Sequence, residues 1–247
     1  MNKSMTPIAV IAGITLIISS AIISRLFINV KKEKEMYIRV KGYAAMDIKS
    51  DIATLSFSHS SKHAKQADAY IQQKKQSEII LRYLSKNSFD TKEIDTSMIT
   101  ITKVFKRKRD TGYSNWYTTT EIDYFVASQN FELTSTDVYK IQIISRSLAV
   151  LNKQDITISV NSPDYMVTDL KQIKFDVLSE ATTNGYKRAT LLADNSGGKV
   201  GTLISAQQGI FQITGPNSTE TSGSGYYETT SIDKTIKAVV NLEYKIN

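Results

Sequence analysis

From Pro7 to Ser24 the chain carries no charged side chain and is dense in Ile, Val, Leu and Ala, which restricts this segment to an environment that hides apolar surface on every side. Drawn as a helix at 1.5 Å per residue, the run spans about 27 Å, close to the hydrocarbon thickness of a bilayer. After Arg25 the segment Leu26-Phe27-Ile28-Asn29-Val30 stays mostly apolar. With the arginine snorkelling to the headgroups, a membrane segment extends over residues 7–30. A cleaved signal peptide is the competing reading, since Lys3 supplies a basic flank and Ser19-Ser20-Ala21 offers small residues for cleavage. That site falls inside the apolar run, and the length favours an uncleaved single-pass anchor within residues 1–35. Lys31, Lys32 and Lys34 follow the run while only Lys3 and the amino terminus precede it. Taken alone, the positive-inside rule places the following domain in the cytoplasm.

Residues 36–247 are long enough to bury a core, and the whole chain of 247 residues, 41% apolar and 22% charged, has an ordinary composition for a folded protein. The absence of cysteine excludes disulfides, thiolate zinc sites, iron–sulfur clusters and a cysteine nucleophile. The net charge is +7, two of it from Lys3 and Arg25. The remainder favours anionic surfaces but lacks the concentrated basic face of a nucleic-acid binder, so no nucleic acid is expected as a partner.

Periodicity gives an α+β reading without regular βαβ alternation: mixed or antiparallel sheets, a long helix in the C-terminal half and two shorter helices, preceded by one transmembrane helix. Met36–Ala44 and Ile52–Ser58 read as strands joined in a hairpin, the second with Ala53, Leu55 and Phe57 on one face. Ser61 reads as the cap of a helix carrying Ala64, Ala67, Ile71, Ile80, Leu81 and Leu84, interrupted by Lys74 and Lys75. A long hairpin with a basic end follows, returning through Tyr117 to Leu133, and the step from Val126 to Phe131 suggests a bulge. Val138, Ile141, Ser145, Leu148 and Leu151 mark a short helix before the strand Ile156–Val160. Ser162-Pro163-Asp164 reads as the start of the long helix, with Leu170, Ile173, Val177, Ala181, Ala189 and Leu192 as its stripe and Gly197-Gly198 as its stop. Val200–Ile213 and Ile232–Ile246 read as closing strands, the last in strict alternation. Between them, residues 214–231 form a Gly/Ser/Thr-rich loop, expected to be mobile, with Tyr226 and Tyr227 as its bulky groups.

Three stretches resemble the SIMPL-domain family: Ile38 to Ala44 followed by Asp51 to Phe57; Leu170 to Ile213 with its alanine-spaced helix and glycine stop; and the terminal strand Ile236 to Ile246. Ser50 stands where a proline commonly precedes the aspartate in that family. Gln208-Gly209-Ile210-Phe211 is similar to a subgroup with a single N-terminal anchor. The resemblance implies a bacterial envelope protein at the inner membrane, its main domain in the periplasm, with a tendency to form homo-oligomers, a loose link to stress tolerance and no agreed activity. That placement opposes the one read from the flanking lysines.

No constellation for catalysis stands out, and the chain is expected to be neither an enzyme nor a cofactor or metal protein. His59 and His63 are four apart, but no carboxylate accompanies them within that turn. Ser196-Gly197-Gly198-Lys199 lacks the earlier glycine and the hydroxyl residue of a phosphate loop, and no Gly-x-Ser-x-Gly elbow occurs. Asp164 and Asp169 are better explained by a helix dipole and solvation. The one surface feature suited to binding is Lys106, Arg107, Lys108 and Arg109 with Tyr113, Trp116 and Tyr117: cations for phosphates or lipid headgroups, aromatics for stacking or an interface. The same charges also suit a solvated hairpin tip that resists edge-to-edge association.

Overall fold

The computed structural model describes residues 5–31, 36–109 and 116–247. Four α-helices and eleven strands lie among them. The chain divides into two compact units, one of residues 1–43, 180–209 and 239–247, the other of residues 44–179 and 210–238.

The larger unit is built on β2 (Ile52–His63) and β5 (Trp116–Ser135), which pair antiparallel from Ala53↔Ser135 to His63↔Phe125. Alternation sends Ala53, Leu55 and Phe57 with Phe131 and Leu133 to one face, where all are buried. The rings of Phe57 and Phe131 stack at 4.9 Å between centroids. Onto this face pack α2 (Gln66–Lys86) through Ile80 and Leu84, and α3 (Val138–Ser147) through Val138, Ile141 and Ile144. Leu148 and Leu151 of the following 3-10 turn and Ile156 complete the core. The sheet is extended by β3 (Ile94–Thr96) and β4 (Thr100–Arg109) on β5, and by β6 (Ile158–Val160) and β7 (Asp164–Met166) on β2. Its opposite face carries Thr54, Ser56, Ser58, Glu132 and Thr134, none of them fully buried.

In the smaller unit, β1 (Tyr37–Lys49) and β8 (Val200–Gln208) flank the end of β11 (Asp233–Ile246). The second half of α4 (Leu170–Asn195) lies against them. The buried positions of α4 recur every fourth residue, at Val177, Ala181, Gly185, Ala189 and Ala193, so small side chains line the stripe and Leu192 stays half exposed. That permits a close approach: a Cβ on Gly42 would overlap the Ala181 carbonyl, and one on Gly185 would stand 2.6 Å from Leu242 Cδ1. Asn184 Oδ1 accepts the Tyr43 amide at 3.2 Å beside this contact. At the end of α4, Gly197 takes φ 77° and Gly198 donates its amide to the Ala193 carbonyl at 3.0 Å, the expected glycine stop.

Several expectations need correction. β1 and β2 are not a hairpin, because they belong to different sheets. At the junction Ser50 donates its amide to Ile232 O and Asp51 donates its own to Met166 O. Ser61 does not cap α2; it is buried in β2, its hydroxyl donating to Ala69 O at 3.0 Å, and Lys65 occupies the cap position without a side-chain bond. The buried stripe of α2 is Ala69, Gln73, Ser77, Ile80 and Leu84, leaving Ile71 exposed. Ser162-Pro163-Asp164 leads into β7, because Tyr165 is drawn into the core and pairs opposite Ala53; the helix waits until Leu170. The register of β2 and β5 has no bulge between Val126 and Phe131, since the buried face runs through Ala127 and Val126 takes the other face. The irregularities lie instead where β4 meets β5, on either side of Phe105.

Residues 214–231 include β10 (Tyr226–Tyr227), parallel to β9 (Gln212–Thr214). The Tyr227 hydroxyl accepts the Val167 amide at 3.0 Å, and the Gln212 side chain bonds the Ser222 backbone at 2.8 and 3.2 Å, so the expected loose loop is tied at several points. The Glu228 carboxylate receives the hydroxyls of Thr230 and Ser231 and faces the buried Lys234 ammonium at 3.5 Å.

At the N-terminus, α1 (Met5–Lys31) keeps Ile11, Leu16 and Ile17 at least 62% exposed. Among the described residues no helix is long and apolar enough to cross a membrane. The described side chains of α1 are Val10, Ile11 and Gly13 to Arg25, so the rest of the expected 7–30 anchor lies outside them.

The helix-to-strand approach sets a sharp expectation. Gly42→Ala or Gly185→Ala should each destabilise the protein by about 1–3 kcal/mol through overpacking. Gly223→Ala, with open space around it, should change stability little. Thermal unfolding of the three variants checks this, and equal midpoints would show that the approach relaxes freely.

Candidate functional site

The basic candidate residues sit at the far end of the β4–β5 ribbon. Lys108 pairs opposite Tyr117 and Arg109 opposite Trp116. Strand alternation puts Lys106 and Lys108 on one face and Arg107 and Arg109 on the other, so the four cations do not form one patch. Lys106 Nζ meets Glu121 Oε2 at 3.2 Å, both groups about half exposed. The hydrogen bond from Lys106, then the charges of Lys106 and Lys108, hold the Glu121 carboxyl below its ordinary value. Arg107 and Arg109 have no carboxylate within ion-pair distance among the described residues, and Trp116 is 60% exposed. Tyr113 lies outside the described residues.

Two of the edge strands, β4 and β8, differ in charge. β4 pairs with β5 alone and carries Lys103 in addition to the four cations, and like charges along an edge discourage addition of another strand. β8 pairs with β11 alone, has no charged residue and no proline, and is exposed from Thr202 to Gln208. Leu203 is 51% and Ile204 48% exposed on it.

The two histidines do not meet. Both lie on β2, where four residues span roughly 13 Å. His63 is at the exposed end, its Nδ1 accepting the Lys65 amide. His59 is 1% exposed and belongs to a polar layer between α2 and the sheet that periodicity alone passes over. Gln73 Nε2 donates to His59 O at 3.1 Å, Ser77 Oγ donates to Gln129 Oε1 at 2.6 Å, and Gln129 Nε2 donates to Ser97 O at 2.8 Å. The weak middle of the α2 stripe was the signal for this layer. His59 Nδ1 lies 2.9 Å from Thr157 O, which can only accept, so Nδ1 carries the proton in the neutral ring. Nε2 has no hydrogen-bond partner among the described residues, and neither does Oε1 of the adjacent Gln76. Groups of three or more metal-ligating side chains are absent among the described residues.

Residues 38–244 match the family model SIMPL: Protein of unknown function (DUF541). The chain belongs to the SIMPL family. The match covers both units and leaves out α1. A search of curated proteins returned no match.

In this SIMPL domain, burial pushes the His59 imidazole below its ordinary value of 6.5, against the opposing influence of the Thr157 carbonyl and the nearby Gln76 side chain. Just below that pH the unfolded chain binds a proton that the folded protein refuses, so stability falls as pH drops through about 6.5 and levels off once the folded ring is protonated. Urea unfolding between pH 7.5 and 5 (about the histidine range) should show this slope. His59→Gln should flatten it and His63→Gln should keep most of it; an unchanged slope in His59→Gln would assign the effect elsewhere.

Proposed function

We propose that this SIMPL protein is a non-catalytic, self-associating protein of the bacterial envelope, anchored in the inner membrane by its N-terminal segment with the main domain in the periplasm, and that copies join through β8. The observation that carries the reading is the contrast between two edge strands, β4 and β8. β4 is protected by lysine and arginine; β8 offers an unprotected row of backbone donors and acceptors with Leu203 and Ile204 beside them. Support for the anchor is the charge-free run Pro7–Ser24 and the exposure of its described apolar side chains, surface that water does not favour. The periplasmic placement, like the link to stress tolerance, comes from the family resemblance and stands against Lys31, Lys32 and Lys34.

Mass measurement of the full chain in detergent should give one discrete assembly. Leu203→Lys with Ile204→Lys should shift it to smaller species at unchanged circular dichroism, and a monomeric wild-type particle would overturn the reading. Topology has its own test: with a tag after Asn247, protease added to intact spheroplasts should digest the domain, and protection until lysis would place it in the cytoplasm.

A second reading uses the hairpin end as a binding module for anionic lipid or another polyanion. Arg107 and Arg109, without a carboxylate in ion-pair distance among the described residues, and the exposed Trp116 opposite Arg109 favour it. Reversing the charge of Lys106, Arg107, Lys108 and Arg109 should then abolish the salt-sensitive part of binding to anionic vesicles while the fold persists. Unchanged binding that ignores salt would remove this reading.

A further inference from the structure

A groove of about 530 Å³ runs between α3 and the segments 162–165 and 230–233, within the larger unit. Its size suits a small molecule. Arg146, in the last turn of α3, lines it and has no carboxylate within ion-pair distance among the described residues. The neighbouring wall carries Ser162 and Tyr165, and the Gln142 side chain lies one turn before Arg146 on the same helix. Tyr165 is 4% exposed as a residue. Burial pushes its phenol up, while the Arg146 charge pulls the other way, which marks the two as neighbours. The groove therefore gathers a guanidinium, an amide and several hydroxyls, those of Ser162 and Tyr165 among them, with the rigid rings of Pro163 and Pro216 as apolar wall.

Charge decides which anion suits this lining. Asp233 lines the same groove and is only weakly neutralised by Lys49, at 3.7 Å with both groups largely exposed. One guanidinium and one carboxylate in the same lining leave little net positive field, which disfavours a dianion. A planar guanidinium pairs two parallel N–H donors with a single carboxylate. We propose that this groove binds the carboxylate end of a small polar ligand, with Arg146 as its anchor and the hydroxyls of Ser162 and Tyr165 as supporting donors. None of its lining residues belongs to β8 or to the basic hairpin end.

The test uses the full chain in detergent micelles and three probes: N-acetylalanine, its carboxamide, and inorganic phosphate, titrated by saturation-transfer NMR. N-acetylalanine should saturate in the millimolar range, the carboxamide should not, and phosphate should bind more weakly. Arg146→Gln should weaken N-acetylalanine about tenfold or more, the scale of one lost charge-assisted contact, whereas Arg82→Gln on α2 should leave it unchanged. Absence of saturation by N-acetylalanine, equal binding of its carboxamide, or full retention in Arg146→Gln would each overturn the proposal. Phosphate binding as tight as N-acetylalanine would overturn the carboxylate assignment.

Discussion

The uninterrupted pairing of β2 with β5 is the interaction on which the larger unit depends. Eleven successive residue pairs hold one register from Ala53↔Ser135 to His63↔Phe125. A slip of β2 by one residue would send Leu55 and Phe57 to the polar face and Ser56 to the core, away from Phe131 and Leu133. Fully burying each of those apolar side chains is worth about 1.5–3 kcal/mol before chain entropy is counted. The helices then cover a surface that the strands have already sorted, and the short strands β3, β6 and β7 attach where that ladder leaves backbone groups open.

The same ladder is polar over part of its buried length. Beyond Phe57 the inward positions become His59 and Ser61, opposite Gln129 and Ala127, and α2 answers with Gln73 and Ser77 in place of leucines. Satisfied in part by side chains and in part by backbone carbonyls, this layer fixes the position of α2 along the sheet, because sliding the helix by a turn would leave Gln73 and Ser77 without partners. The cost is visible in His59 Nε2, Gln73 Oε1 and Gln76 Oε1, buried acceptors without a donor among the described residues.

What could be read in advance follows from how local each signal is. β11 was legible because Ile236, Ala238, Val240, Leu242 and Tyr244 alternate without interruption and all are buried, and the end of α4 because Gly197 supplies a left-handed residue by itself. The core of β2 was legible for the same reason. The stripe of α2 was not, since its buried middle is polar and the apolar Ile71 points outward. Nor was the start of α4. Ser162-Pro163-Asp164 has good local helix chemistry, yet burial of Tyr165 and pairing with β2 outweigh a cap worth about 1 kcal/mol. The separation of β1 from β2 depends on backbone bonds to Ile232 and Met166, residues far away in sequence that no local pattern reveals. Of the candidate site, the cations and Trp116 were legible as residue types, but their division between two faces required the register of β4 on β5.

Edges carry the functional argument because the family match leaves activity open. A sheet edge exposes the same backbone groups whatever its sequence, so side chains decide whether it recruits another strand. Along β4, five cations impose a cost on any copy approaching with the same edge, and salt would lower that cost only partly over distances shorter than about 8–10 Å. Along β8, Thr202 to Gln208 impose none, and the two apolar side chains add a gain on contact. A chain tethered to a membrane meets its neighbours in two dimensions, which raises their effective concentration and makes a weak edge contact sufficient for assembly. In the proposed reading the two features act together: a membrane anchor would supply the concentration, and the unprotected β8 edge would supply the contact that concentration makes effective.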